Sequence, residues 1–179
     1  MEQQMTLFAA GRTASSSKPH TPANHAHFDI YVDGASRGNP GHAGAGIYVV
    51  ANKKPIIKKG IYLGEKTNNQ AEYLALALAV FFVDHYCHEH GIKKPTLSIF
   101  SDSELLIRQM KGIYKVKNEI LAHLRGFIVE QLNAYTVRFT HVMRENNTHA
   151  DKLANLGIDK KHKLPTTFAK ILSDYGLLI

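Results

Sequence analysis

The sequence predicts an α/β layered domain, and three observations carry that expectation. Short apolar runs of strand period crowd the first part of the folded segment. Longer runs of helical spacing with capping residues ahead of them follow. The later strand candidates are separated by those helical runs, which calls for crossover connections and a layered sheet. At 179 residues, 44% hydrophobic and 21% charged, the chain can bury about 70% of its unfolded surface without a disulfide or structural metal. Such a composition excludes collagen-like and wholly disordered chains.

Residues 9–27 are small, polar and proline-bearing, and read as a flexible linker behind a short apolar peptide, Met5-Thr6-Leu7-Phe8. The run 28–32 alternates and stops at Asp33-Gly34. Residues 45–50 and 56–63 read as two more strands joined by the turn-like Asn52-Lys53-Lys54-Pro55, giving three antiparallel neighbours. Thr67-Asn68-Asn69 supplies capping residues before an Ala/Leu-rich helix. A short strand at 97–100 ends at Ser101-Asp102-Ser103, which caps a helix through about Met110. Residues 118–132 are helical, 135–142 alternate as a strand, and 148–156 form a helix with Ala150, Leu153 and Ala154 inward. The order is βββαβααβα, with the domain running from 28 to 158. The extension 159–179 holds one more amphipathic turn or helix without an evident purpose.

The longest apolar stretch, 71–83, is interrupted by Glu72 and falls short of the roughly 18 residues a membrane span needs. No secretory signal is visible, and the single cysteine, Cys87, cannot form an internal disulfide. A cytoplasmic monomer without membrane contact is expected. Lys and Arg number 22 against 15 Asp and Glu, a net charge of +7, which favours an anionic partner such as nucleic acid.

Four acids stand where solvated charge is not expected. Asp33 follows an apolar strand, Glu72 is the only charge in an apolar helix, Asp102 follows the 97–100 strand, and Asp151 opens the last domain helix beside its inward face. Singly they read as a turn residue, a helix-dipole partner, an N-cap and surface charge. Together they occupy strand ends and helix starts, where α/β sheets place their sites. Converging carboxylates repel unless cations neutralise them, and oxygen-only ligands favour Mg²⁺ or Mn²⁺. Two such ions roughly 3.5–4 Å apart suit phosphodiester hydrolysis.

The blocks YVDGASRGNPG, TNNQAEYLAL, FSDSELLIRQMKGIYKVKN and HVMRENNTHADKLAN, in this order and spacing, resemble ribonuclease H of type 1. They are most similar to its compact archaeal-like and reverse-transcriptase-like branch. That resemblance covers residues 28–158. It implies a three-layer fold with a five-stranded mixed sheet, three strands antiparallel and two parallel, and helices on both faces. It implies a metal-dependent endonuclease cutting the RNA strand of RNA/DNA hybrids. The family's four acids fall on Asp33, Glu72, Asp102 and Asp151, as catalytic residues and metal ligands. Its groove-lining positions fall on Gly34, Ala35, Ser36, Asn68 and Asn69, with Ser103 beside Asp102, and sense ribose 2′-hydroxyls. Asn39 and Thr67 match a pocket for a phosphate of the DNA strand, and the loop before Asp151 offers Arg144 and Asn147 to substrate.

The chain departs from many bacterial members in two places. It lacks their tryptophan-rich basic protrusion, carrying only residues 111–117 there, so hybrid grip falls to Lys115, Lys117 and Arg108. The loop before Asp151 is short, with Arg144 where a mobile histidine is usual; His149 reads mainly as a structural or surface residue. Gln4-Met5-Thr6-Leu7-Phe8 is similar to the pentapeptide with which bacterial replication proteins dock on the sliding clamp, through Gln4, Leu7 and Phe8. Residues 84–90 contain zinc-ligand types without paired cysteines and read as a solvated helix end. The glycines at 41–46 precede a strand and read as close backbone packing, while the lysine pairs at 53–54 and 58–59 read as surface charge. Three alternatives stay open: a related nuclease, including one that also cuts double-stranded RNA; a hybrid-binding module without catalysis; and a phosphotransferase.

Overall fold

The computed structural model describes residues 26–93 and 95–177. Its strands are β1 (His27–Gly38), β2 (Gly41–Ala51), β3 (Lys54–Lys66), β4 (Thr96–Ser101) and β5 (Thr136–His141). They form one sheet in the order β3-β2-β1-β4-β5. The first three are antiparallel, while β4 lies parallel to β1 and β5 parallel to β4. The helices are α1 (Asn68–Glu89), α2 (Glu104–Met110), α3 (Glu119–Leu132), α4 (Thr148–Lys160) and α5 (Thr166–Asp174), with a 3-10 turn at Arg144–Asn146.

The first strand does not stop at Asp33-Gly34. It runs on to Gly38, pairing Gly34, Ala35 and Ser36 with Ala45, Gly44 and Ala43. These small residues have weak strand propensity, which hides the extension from a reading of the sequence. Their smallness serves packing instead. A methyl group on Gly34 would collide with the α1 backbone at Ala71 and Glu72, and one on Gly46 with the α4 backbone at Ala150 and Ala154. Gly46 lies opposite Asp33, one residue from Gly34, and adjacent strand residues face opposite sides. Helices α1 and α4 therefore cover opposite faces of the sheet.

The β2–β3 connection is shorter than the sequence implies. Asn52 and Lys53 both adopt positive φ (50° and 62°), a two-residue turn of the hairpin-favoured kind, and Pro55 lies in β3. Helix α1 begins where expected, with Thr67 and Gln70 forming a reciprocal capping box. Every residue from 71 to 80 is buried, because the helix packs against the sheet on one side and α3 on another.

The extension after 158 belongs to the core. Helix α4 continues to Lys160, and Lys161 turns the chain with φ 47°. The next residue crosses the free edge of β3: the Tyr62 amide donates to the His162 carbonyl at 2.8 Å, and the His162 ring contacts the Gly60 carbonyl at 3.1 Å. Helix α5 then docks on the α1 side. Phe168 packs against Phe81 and Phe127, and both Phe168 and Leu172 are fully buried.

Candidate active site

The topology gathers the four acids. Parallel pairing of β1 with β4 ends at Tyr31 opposite Phe100, so Asp33 and Asp102 stand two residues further along neighbouring chains. Close approach of α1 at Gly34 delivers Glu72, and close approach of α4 at Gly46 delivers Asp151. Glycine at 34 and 46 is thus what lets helices from both faces reach one sheet end.

The electrostatics record their convergence. Asp33 is buried, and its carboxyl is pushed up to about 7, first by desolvation and then by Asp102 and Asp151, with Arg144 opposing. Burial likewise raises Glu72 well above the usual carboxylate range, helped by Asp33 and Asp102 and opposed by a hydrogen bond from the Gly34 backbone. The Arg144 guanidinium pairs with Asp151 at 2.8 Å, although its side chain is 77% exposed. Asn147, 1% exposed, donates from Nδ2 to Asp102 Oδ1 at 2.7 Å and to the Val32 carbonyl at 2.9 Å.

This surplus of buried negative charge fits divalent cations. Glu72 Oε2 is buried without a hydrogen-bond partner, and the donor set is oxygen only, the set hard cations prefer. Among the described residues no three acidic or histidine side chains are already grouped tightly enough to hold an ion. Asp151 Oδ1 is held by the Arg144 guanidinium.

The remaining candidates separate into two kinds. Asn39 Oδ1 accepts from the Asn68 amide at 3.2 Å, which joins the β1–β2 hairpin tip to the start of α1 and brings Asn39, Thr67, Asn68 and Asn69 together. Asn68 and Asn69 are exposed, available to a ligand over the sheet end. Gly34 is buried beneath α1. The Ser36 hydroxyl lies 2.6 and 2.8 Å from the Gly38 and Lys66 carbonyls, with one proton to share between them, beside the end of β3. Ala35 lies half-buried between them. Ser103 caps α2 through the Leu106 amide at 3.3 Å.

Several other residues are occupied inside the fold. Arg108 pairs with Glu104 at 2.6 Å and lies over the Tyr114 ring. His149 stacks on Tyr48 with centroids 4.5 Å apart. In the 84–90 cluster, Asp84 accepts from the Tyr135 hydroxyl and His90 contacts the Tyr86 carbonyl, in keeping with a helix end. The basic 111–117 segment is anchored from below: Tyr73 donates to Gln109 at 2.8 Å, and Gln109 donates to the Lys115 carbonyl at 3.2 Å. Lys115 and Lys117 point their charge from an exposed, tethered loop. The peptide 4–8 lies outside the described residues.

Sequence reasoning missed three contacts. Ser101, fully buried at the end of β4, accepts from the Ser103 amide at 3.0 Å. His141 Nε2 meets the Asp102 carbonyl at 3.2 Å. Asn147 proves to be a buried bridge between chain segments, and no local signal distinguishes it from an exposed loop asparagine.

A five-stranded sheet in this order, with carboxylates meeting where β1 and β4 part, defines a protein of the ribonuclease H fold class. LC11-RNase H1, isolated from compost by a metagenomic approach, matches with TM-score 0.69 and 37% identity, over 75% of this chain and 96% of that one. Its complex with an RNA/DNA hybrid matches with TM-score 0.70, over 74% and 97%. Ribonuclease HI of Halobacterium salinarum is 35% identical over 131 residues, 72% of this chain and 63% of that protein. Bifunctional protein Rv2228c of Mycobacterium tuberculosis is 33% identical over 137 residues, 73% of this chain and 35% of that protein. The chain thus spans about three fifths of the first curated relative and about a third of the second. With residues 31–157 matching the reverse transcriptase-like family, the chain belongs to that family, among its type 1 ribonucleases H.

Proposed function

We propose that the protein is an endonuclease that hydrolyses the RNA strand of RNA/DNA hybrids. The observation that carries this reading is the burial of Asp33 and Glu72 beside Asp102 and Asp151. That charge is unfavourable without cations and suited to holding them beside a phosphodiester. Asp33, Glu72, Asp102 and Asp151 are the ligands, with Mg²⁺ the expected ion and Mn²⁺ a substitute. Two bound ions would supply activation of a water and neutralisation of the departing oxygen. Water attacks phosphorus, the P–O3′ bond breaks, and the products are a 3′-hydroxyl and a 5′-phosphate.

The chain's own residues orient the duplex. Asn68 and Asn69 offer amides that both donate and accept, the chemistry that reads a 2′-hydroxyl and so distinguishes RNA from DNA. Asn39 and Thr67 hold a phosphate of the DNA strand beside the α1 N-terminus, where helix amides favour anions. Arg144, which pairs with Asp151 and is otherwise exposed, would offer its guanidinium to the scissile phosphate. Lys115 and Lys117 add phosphate contacts.

Primer removal or R-loop removal in the cytoplasm, by a monomer, is the setting this activity suits. Residues 4–8 are proposed to dock on the bacterial sliding clamp through Gln4, Leu7 and Phe8. A labelled peptide spanning residues 1–12 should bind clamp at micromolar concentration and lose binding on Leu7→Ala with Phe8→Ala; equal titration of the two peptides refutes the docking. The function itself is tested by offering matched RNA/DNA, RNA/RNA and DNA/DNA duplexes in Mg²⁺ and Mn²⁺. Selective cutting of RNA in the hybrid is expected, RNA/RNA cutting extends the substrate range, and intact hybrid in both metals rejects the proposal.

A further inference from the structure

We infer that Asn147 is a positioning residue that sets three of the four carboxylates relative to one another, rather than a group that touches substrate. The inference rests on the proposed metal-dependent reading of the site. Its side chain is 1% exposed, which removes it from any contact with a duplex. Both Nδ2 protons are used: one on Asp102 Oδ1 at 2.7 Å, the other on the Val32 carbonyl at 2.9 Å. Since a carboxylate and a carbonyl both demand donors, the amide orientation is fixed by its partners. Val32 immediately precedes Asp33. The Asn147 carbonyl in turn accepts from the Asp151 amide at 3.1 Å, and its own amide donates to the Arg144 carbonyl at 3.0 Å.

One residue therefore connects the β1 backbone at Asp33, the Asp102 carboxylate after β4, and the first turn of α4 that carries Asp151. Holding Asp102 by Oδ1 leaves its other oxygen outside this bond. Asparagine is the side chain that fits this task. Aspartate has no donor to offer, serine cannot span both acceptors, and glutamine is too long for a site this closed. The arrangement also leaves Asn147 Oδ1 buried without a partner. An unpaired buried acceptor lowers stability, so the residue's value lies in what its two donors hold in place.

Outer partners of metal ligands tune affinity and activity by about 10–100-fold, and that range sets the expected effect. The test compares the full chain with Asn147→Ala and with Asn147→Ser, the latter being the better folder if the alanine variant is lost. Mn²⁺ binding is measured by calorimetry without substrate, and kcat and KM are measured on a short hybrid. The inference expects Mn²⁺ affinity and kcat each to fall about tenfold or more while KM stays within about threefold. In an Asp102→Asn background the same change should reduce Mn²⁺ affinity little further, because the two residues act as one unit. Unchanged Mn²⁺ affinity in a folded variant overturns the inference, as does a raised KM with kcat intact. An inactive wild-type protein that still binds Mn²⁺ would instead count against the hybrid-cleaving reading and leave the metal comparison available.

Discussion

Asp33 carries the sharpest conflict between stability and function at the level of single residues. Its folded-state pKa of about 7 lies above the ordinary 3.8, so the folded chain holds an extra proton between those values. For a carboxyl raised on folding, this contribution favours the folded state most below about pH 4 and fades as pH rises through 7. In chelator, denaturant unfolding should show stability falling from pH 5 to pH 8. Asp33→Asn should flatten part of that slope and stabilise the metal-free protein at pH 8 by about 1–4 kcal/mol, since each pH interval between the two pKa values is worth about 1.4 kcal/mol. Glu72 shares the sign, so some slope remains in the variant. Parallel pH profiles for the two proteins would show that Asp33 does not carry the strain. The four acids were legible in the sequence only as a set: Glu72 is the one charge in an apolar helix, and Asp33, Asp102 and Asp151 stand at strand ends and a helix start, places that the resemblance then joins into one site. Asn147 reads from the resemblance as a substrate residue, and its bridging bonds were hidden, since its partners Val32 and Asp102 lie 115 and 45 positions away. Arg108 reads as a free cation along the sequence, yet Glu104, one helical turn earlier, occupies it.

Among the elements, the C-terminal strap gains a role that the sequence left without one. Residues 159–179 show only a short amphipathic pattern. The face that α5 covers is built from Phe81 and Phe127, on helices that already looked complete. The strap also closes part of the β3 edge through Tyr62 and His162, shielding backbone groups that invite pairing with other chains. Truncating the fully buried Phe168 to alanine should lower unfolding free energy by about 3–5 kcal/mol, read by urea titration, with hybrid cleavage kept at a temperature where the variant is folded. A loss below about 0.5 kcal/mol, the range of ordinary surface changes, would mean that α5 is an ornament on the domain. The long β1–β2 hairpin escaped sequence reading for the opposite reason. Its small residues weaken the strand signal while permitting α1 and α4 to approach. Capping at Thr67 and Ser103, by contrast, was readable because it depends on side chains within three residues.

For the whole molecule, the fold works as a device for bringing separated acids to one place. The parallel pairing of β1 with β4 puts Asp33 beside Asp102, and helices on opposite faces carry Glu72 and Asp151 to the same sheet end. The three-plus-two pairing followed from the sequence pattern and the resemblance together, while the order β3-β2-β1-β4-β5 comes from the structure; periodicity alone gave the elements, with only the first three as neighbours. The central claim is that this cluster holds cations that cut RNA. Asp102→Asn keeps the shape and its neighbours while removing the charge, so it isolates that claim. The decisive measurement is single-turnover cleavage of a labelled RNA/DNA hybrid in Mg²⁺ by wild type and Asp102→Asn, with hybrid binding followed in parallel. Wild type should cleave, leaving 5′-phosphate ends, and the variant should not, at undiminished binding. Cleavage by the variant within about tenfold of wild type, a barrier change of only ~1.4 kcal/mol, would contradict the claim.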